Sequence, residues 1–92
     1  MNEPKQARDL IELPGPFRFK VIVKPDLADQ QLLLDLTRDV LGREPAQLHV
    51  TSNDSKGGKY RAYTLAMHIE VYEEIEALFT AYNDHPASVW VM

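Results

Sequence analysis

The segment Lys56-Gly57-Gly58-Lys59-Tyr60 points most directly to a ligand. Paired glycines let backbone N–H groups approach a bound group, and the flanking lysines add positive charge, so the chemistry on offer is anion binding. The same composition also suits a hairpin loop kept soluble by lysine. His49, His68 and His85 lie in separate segments with no i, i+4 pair, and the chain has no cysteine, so a zinc site lacks its usual ligands. Glu73, Glu74 and Glu76 follow the outer side of a helix and do not form a facing acid/base pair. Neither phosphate-loop pattern occurs, G-x-x-x-x-G-K-[ST] or G-x-G-x-x-G, and there is no G-x-S-x-G elbow. The residues therefore indicate a non-enzymatic protein with no metal and no cofactor.

A chain of 92 residues makes one small domain with a marginal core. Its 45% hydrophobic and 26% charged residues are ordinary for a globular protein and argue against disorder. No apolar run exceeds four residues, which excludes a membrane-spanning helix. The first residues lack the apolar stretch of a signal peptide. With no cysteine present, a cytoplasmic location is expected. The net charge of -4 disfavours generic nucleic-acid binding, yet the charge is unevenly placed. Residues 16–24 carry +3 and 48–67 carry +2, whereas 25–47 carry -3 and 68–92 carry -5.

Those charges follow the expected elements. Residues 1–8 read as a flexible segment ahead of a single domain over 9–92, with Leu10, Ile11 and Leu13 tying down the lead-in and Pro14-Gly15-Pro16 breaking any helix. Phe17–Lys24 alternates with period two, Phe17, Phe19, Val21 and Val23 on one face and Arg18, Lys20 and Lys24 on the other, which predicts a half-buried strand. A helix is expected from an Asp26 N-cap to about Leu41, stopped by Gly42. Its apolar stripe is Leu32, Leu33, Leu36 and Val40. Gln47–Thr51 and Lys59–Ile69 read as strands around a loop over Ser52–Gly58, together a hairpin. Val71, Ile75, Leu78, Phe79 and Tyr82 mark a second amphipathic helix, with Glu70, Glu73 and Glu74 at its start and Asn83-Asp84-His85-Pro86 at its end. Ser88–Met92 is a final short strand.

Strand–helix–strand–strand–helix–strand predicts an α+β, ferredoxin-like βαββαβ sandwich with strand order 4-1-3-2 and both helices on one face of an antiparallel sheet. Phe19, Val21, Leu65, Ile75 and Phe79 are the expected core. The order places Lys24, Lys56, Gly57, Gly58 and Lys59 on one rim, with Lys20 further along the open face, a candidate site for an anionic ligand or an acidic partner surface. The first helix starts at that rim and adds partial positive charge, opposed by Asp26 and Asp29. Leu27, Leu34 and Leu41 lie beside the stripe and form a candidate self-association face for a homodimer or partner protein.

Two local patterns resemble known motifs in part. His68-Ile69-Glu70 is similar to the H-x-E of zinc deaminases but has no P-C-x-x-C partner, and the Lys56–Tyr60 stretch resembles the RNP1 pattern of RNA-recognition domains. Those domains carry aromatics on the open sheet face, whereas Phe17, Phe19 and Tyr63 are assigned here to the core and only Tyr60 points outward, so RNA binding is disfavoured. A broader resemblance spans residues 9–92. Leu13-Pro14-Gly15-Pro16-Phe17, Phe19-Lys20-Val21, Ser55-Lys56-Gly57 with Lys59-Tyr60, and Val89–Met92 resemble the YbeD-like family of small bacterial proteins. Two positions depart from it: Val23 stands where glycine is expected, and the second helix lacks a Ser/Thr start. The resemblance implies a ferredoxin-like fold close to ACT domains, which bind small effectors and associate in pairs, and a lipoate-related regulatory context. It transfers no catalytic residue.

Overall fold

Period-two alternation builds the centre of the sheet. The structure, a computed structural model, describes residues 11–92. The segment expected to be flexible, 1–8, and Leu10 lie outside the described residues. Strand β1 (Gly15–Val23) pairs antiparallel with β3 (Arg61–Ile69) along its whole length, from Gly15 opposite Ile69 to Val23 opposite Arg61. β2 (His49–Asp54) adds to the other side of β3, and β4 (Ser88–Val91) to the other side of β1. The order β2-β3-β1-β4 is the expected 4-1-3-2 read from the opposite edge. Phe19, Val21 and Val23 of β1 and Tyr63, Leu65, Met67 and Ile69 of β3 are buried under helices α1 (Gln30–Leu41) and α2 (Tyr72–Asp84).

Gly15 needs to be glycine for a steric reason. A Cβ there would stand 2.8 Å from the Glu12 carbonyl oxygen, so the chain entering β1 passes too close for any side chain.

Several boundaries differ from expectation. β2 runs to Asp54, and the loop shrinks to 55–60, because an edge strand with one exposed side accepts the polar run Ser52-Asn53-Asp54. α1 begins at Gln30, capped by Asp29 and not Asp26: the Asp29 carboxylate accepts the Leu32 N–H at 2.9 Å. Pro25 to Leu27 form a turn, with the Leu27 and Ala28 N–H groups donating to the Lys24 carbonyl at 3.0 and 3.2 Å. Gly42 closes the helix in the left-handed conformation. α2 starts after Val71, which has no capping side chain; the Glu74 carboxylate accepts the Glu70 N–H at 2.9 Å instead. It runs through Asn83 and Asp84 and stops where Pro86 pushes His85 out of the helical region.

The core also differs in one member. Phe19, Val21, Leu65 and Ile75 are buried as expected, but Phe79 is only partly buried, edge-on to Phe19 with ring centroids 5.2 Å apart. Tyr82, one turn further along α2, is the largest fully buried side chain among the described residues. On α1 the buried line is Leu33 and Thr37, with Leu32, Leu34, Leu36, Val40 and Leu41 half-covered on either side. Thr37 and Tyr82 meet by a buried hydrogen bond between the two helices. The Thr37 hydroxyl already donates to the Leu33 carbonyl at 2.7 Å, so it accepts from the Tyr82 hydroxyl.

That assignment predicts an asymmetry. Tyr82→Phe leaves every remaining donor satisfied and should cost about 1 kcal/mol, whereas Thr37→Val strands a buried tyrosine hydroxyl and should cost about 1–3 kcal/mol. The double variant should be more stable than the two losses added together, as measured by urea denaturation.

Candidate functional site

Alternation on β1 turns Arg18, Lys20 and Ile22 to the face of the sheet opposite the helices. The register gives that face its rows. Arg18 lies opposite Ala66, and Ala66 opposite His49; Lys20 lies opposite Thr64, and Thr64 opposite Thr51; Ile22 lies between Trp90 and Ala62. The centre strand β3 thus presents Ala62, Thr64 and Ala66, all small, between a cationic strand and a polar edge strand. Trp90 is 62% exposed there, beside Ile22. The sequence reading placed no aromatic at this position. A short terminal strand carries too few residues to show which of its faces is buried, and an irregularity in the β1–β4 register between Ile22 and Val23 sets the phase.

The hairpin and the end of β1 occupy one end of the sheet. Val23, Arg61 and Asp54 form the last row, and Lys24 and the 55–60 turn project beyond it. The turn closes by the Ser55 N–H donating to the Tyr60 carbonyl, by the Ser55 hydroxyl accepting the Tyr60 N–H, and by the Gly58 N–H donating to the Ser55 carbonyl, each at 2.8 Å. Gly57 and Gly58 both take positive φ, 85° and 71°, which is why the tip requires two glycines. Lys56 and Lys59 are exposed, and the Lys59 ammonium lies 5.5 Å from the Tyr60 ring centroid. Lys24 is anchored by its backbone to the Ala87 carbonyl, and its side chain is exposed. The α1 N-terminus contributes less here than the sequence implied, because Asp29 already occupies it.

Positive charge is partitioned in use. Arg38 pairs with Glu44 and Asp35, Arg43 with Glu74, and Arg61 with Asp54. Arg61, in the row beside the hairpin, escaped the sequence reading because its partner stands across the strand pair. It holds Asp54 below the usual carboxylate range through a two-point hydrogen bond at 2.5 and 3.4 Å. Arg18, Lys20, Lys24, Lys56 and Lys59, by contrast, have no ion pair among the described residues, and all five lie on the open face or its rim.

The other candidates separate. Leu27 belongs to the turn before α1 and is 53% exposed, whereas Leu34 and Leu41 pack partly against the core, so the three leucines share no exposed stripe. The late start of the helix is the cause. His68 reaches Glu70 at 3.2 Å, but no group of three metal-ligating side chains forms among the described residues. Phe17, Phe19 and Tyr63 lie on the helix side of the sheet. No described helix is long and apolar enough to cross a membrane.

A four-stranded antiparallel sheet with two helices on one side and a bare opposite face defines an α+β ferredoxin-like sandwich. The chain belongs to the family described as protein of unknown function (DUF493), which it matches over residues 8–92, and this bears out the resemblance to the YbeD-like proteins. It is 30% identical over 87 residues to a UPF0250 protein of Neisseria meningitidis serogroup C, covering 92% of each chain. It is 32% identical over 90 residues to a UPF0250 protein of Bordetella parapertussis, covering 94% of this chain and 93% of the other. The solution structure of protein HP0495 from H. pylori has the same fold, with a TM-score of 0.72 at 16% identity, over 98% of this chain and 88% of that one.

The paired arginines make a testable contrast with the free cations. Hydrogen bonding from Arg43, then from the Glu70 and Val71 backbone, holds the Glu74 carboxyl below its ordinary 4.5. A depressed folded-state value means that this stabilisation is complete above about pH 4.5 and is lost as pH falls through the folded value. Glu74→Gln should flatten the acid side of the stability profile, measured by urea midpoints from pH 7 to pH 3, and leave the alkaline side unchanged.

Proposed function

We propose that this chain is a non-enzymatic interaction module of the cytoplasm, regulatory in role, that receives an acidic patch of a partner protein at the Lys24, Lys56 and Lys59 rim. One observation carries the reading: the described cations with no carboxylate partner among the described residues are gathered on one face and one end of the sheet, while Arg38, Arg43 and Arg61 are paired. Unpaired exposed cations add little to stability, so their clustering has value chiefly for an external anion. The acidic helix layer on the opposite side steers an acidic partner toward the sheet and away from the helices. Lys20 extends the contact onto the open face, and Gly57 and Gly58 let the partner approach the hairpin backbone.

Binding of this kind weakens with salt, because exposed charges are screened beyond about 8–10 Å at physiological ionic strength. The test is affinity capture of a partner from the source cell, followed by titration of the purified pair with the wild-type chain and with Lys24→Ala, Lys56→Ala and Lys59→Ala combined. The triple variant should lose about tenfold or more in affinity at low salt, mainly through slower association. A folded triple variant that binds as tightly as wild type at low salt eliminates the rim.

A further inference from the structure

The open face holds a second, better-formed feature away from the rim. A shallow depression of about 700 Å³ lies between β1 and β2, lined by Pro16, Arg18, His49, Thr51, Thr64 and Ala66. Its floor is β3, where Ala66 and Thr64 are small residues between the two flanking strands. Two inter-strand spacings separate its walls, about 9–10 Å between backbones. Arg18 rises on one wall with Lys20 next to it on the same side, about 6.7 Å further along the strand. His49 and Thr51 rise on the other wall, and the Thr64 hydroxyl lies between them.

We propose that this depression binds a phosphate monoester group. Its donors are a guanidinium, two hydroxyls and an imidazole, arriving from two walls and a floor, with the Lys20 ammonium one row further along β1. That arrangement suits a tetrahedral group with three strongly accepting oxygens, and it exceeds what the two coplanar oxygens of a carboxylate can use. Arg18 brings a fixed positive charge, Lys20 stands one row further along the same strand, and no carboxylate lies among the lining residues. Glu70, which follows β3 at that end of the face, is already engaged by His68. Pro16 stands beyond the Arg18–Ala66–His49 row at one end of the depression, a place for the organic part of the ester. The site is built from three strands held in full register and needs no rearrangement to present its donors. It stands independently of the rim, which shares only Lys20 with it.

The test is an NMR titration of the uniformly labelled chain with inorganic phosphate and with phenyl phosphate, against acetate and sulfate at matched ionic strength. Saturable shifts are expected at the Arg18 side-chain N–H and the backbone amides of Thr51, Thr64 and Ala66, with phenyl phosphate binding more tightly than acetate. Arg18→Gln should weaken binding about tenfold, as loss of a charge-assisted contact implies. Thr64→Val, which keeps the strand's branched side chain and removes the hydroxyl, should weaken it with the protein's spectrum otherwise retained. The variant lacking Lys24, Lys56 and Lys59 should bind as wild type does, so that failure here and failure of the rim are told apart. Non-saturating shifts, equal responses to acetate and phosphate, shifts confined to the hairpin, or unchanged affinity in both single variants would each overturn the proposal.

Discussion

A one-residue slip of β1 against β3 would carry Arg18 and Lys20 into the helix layer and send Phe19 and Val21 into water. Three fully buried side chains on β1 and four buried ones on β3 make that slip prohibitive, and they hold the register across all nine paired rows. Because β1 is a central strand, its phase also decides what the other face displays. Each lysine or arginine between two buried residues is committed to the side without helices. The site is therefore a consequence of core formation: the same alternation that buries the phenyl ring of Phe19 erects Arg18 and Lys20 on the far side of the sheet.

The helices complete the constraint. Connections over β1 and β3 place α1 and α2 together on one side, where Thr37 and Tyr82 join them by a hydrogen bond that excludes water. Covering one face twice leaves the other bare. A bare sheet face flanked by edge strands invites aggregation, and the residues there answer that hazard with charge, short strands and an irregular β4 register. Charge that merely discourages self-pairing needs no particular geometry. Here it has one: Arg18 on one side and His49 and Thr51 on the other flank a floor of Thr64 and Ala66, and three lysines stand at the end of the sheet where two glycines bare the backbone.

Where the sequence repeats a pattern over many residues, it foretells the structure closely. The alternation of β1 and β3 specified both strands, their faces and, with the helices between them, the strand order. Features set by one or two residues were harder to read. Asp26 and Asp29 are equally good caps by type, and only the Leu32 N–H distinguishes them. Thr37 has no place in the apolar stripe expected for α1, because nothing local announces that Tyr82 will meet it. β2 looked shorter than it is, since a polar edge strand has no apolar period to display. That Lys24 and the hairpin lysines share one end of the sheet was legible from topology alone. The depression was not, because Thr64 and His49 stand 46 and 31 residues from Arg18 along the chain, and their convergence depends on the register of three strands.

The central claim is that the unpaired cations serve an external anion and contribute nothing to the fold. The most direct measurement is urea unfolding, at about 0.15 M salt where charges beyond about 8 Å are screened, of a chain with Arg18, Lys20, Lys24, Lys56 and Lys59 all changed to glutamine, beside the single variant Arg43→Gln. The account predicts that the fivefold variant stays within about 1 kcal/mol of wild type, while the single change, which breaks the partly buried pair with Glu74, costs more. A fivefold variant destabilised by several kcal/mol, with Arg43→Gln close to neutral, would contradict the account and make the open-face charges part of the fold.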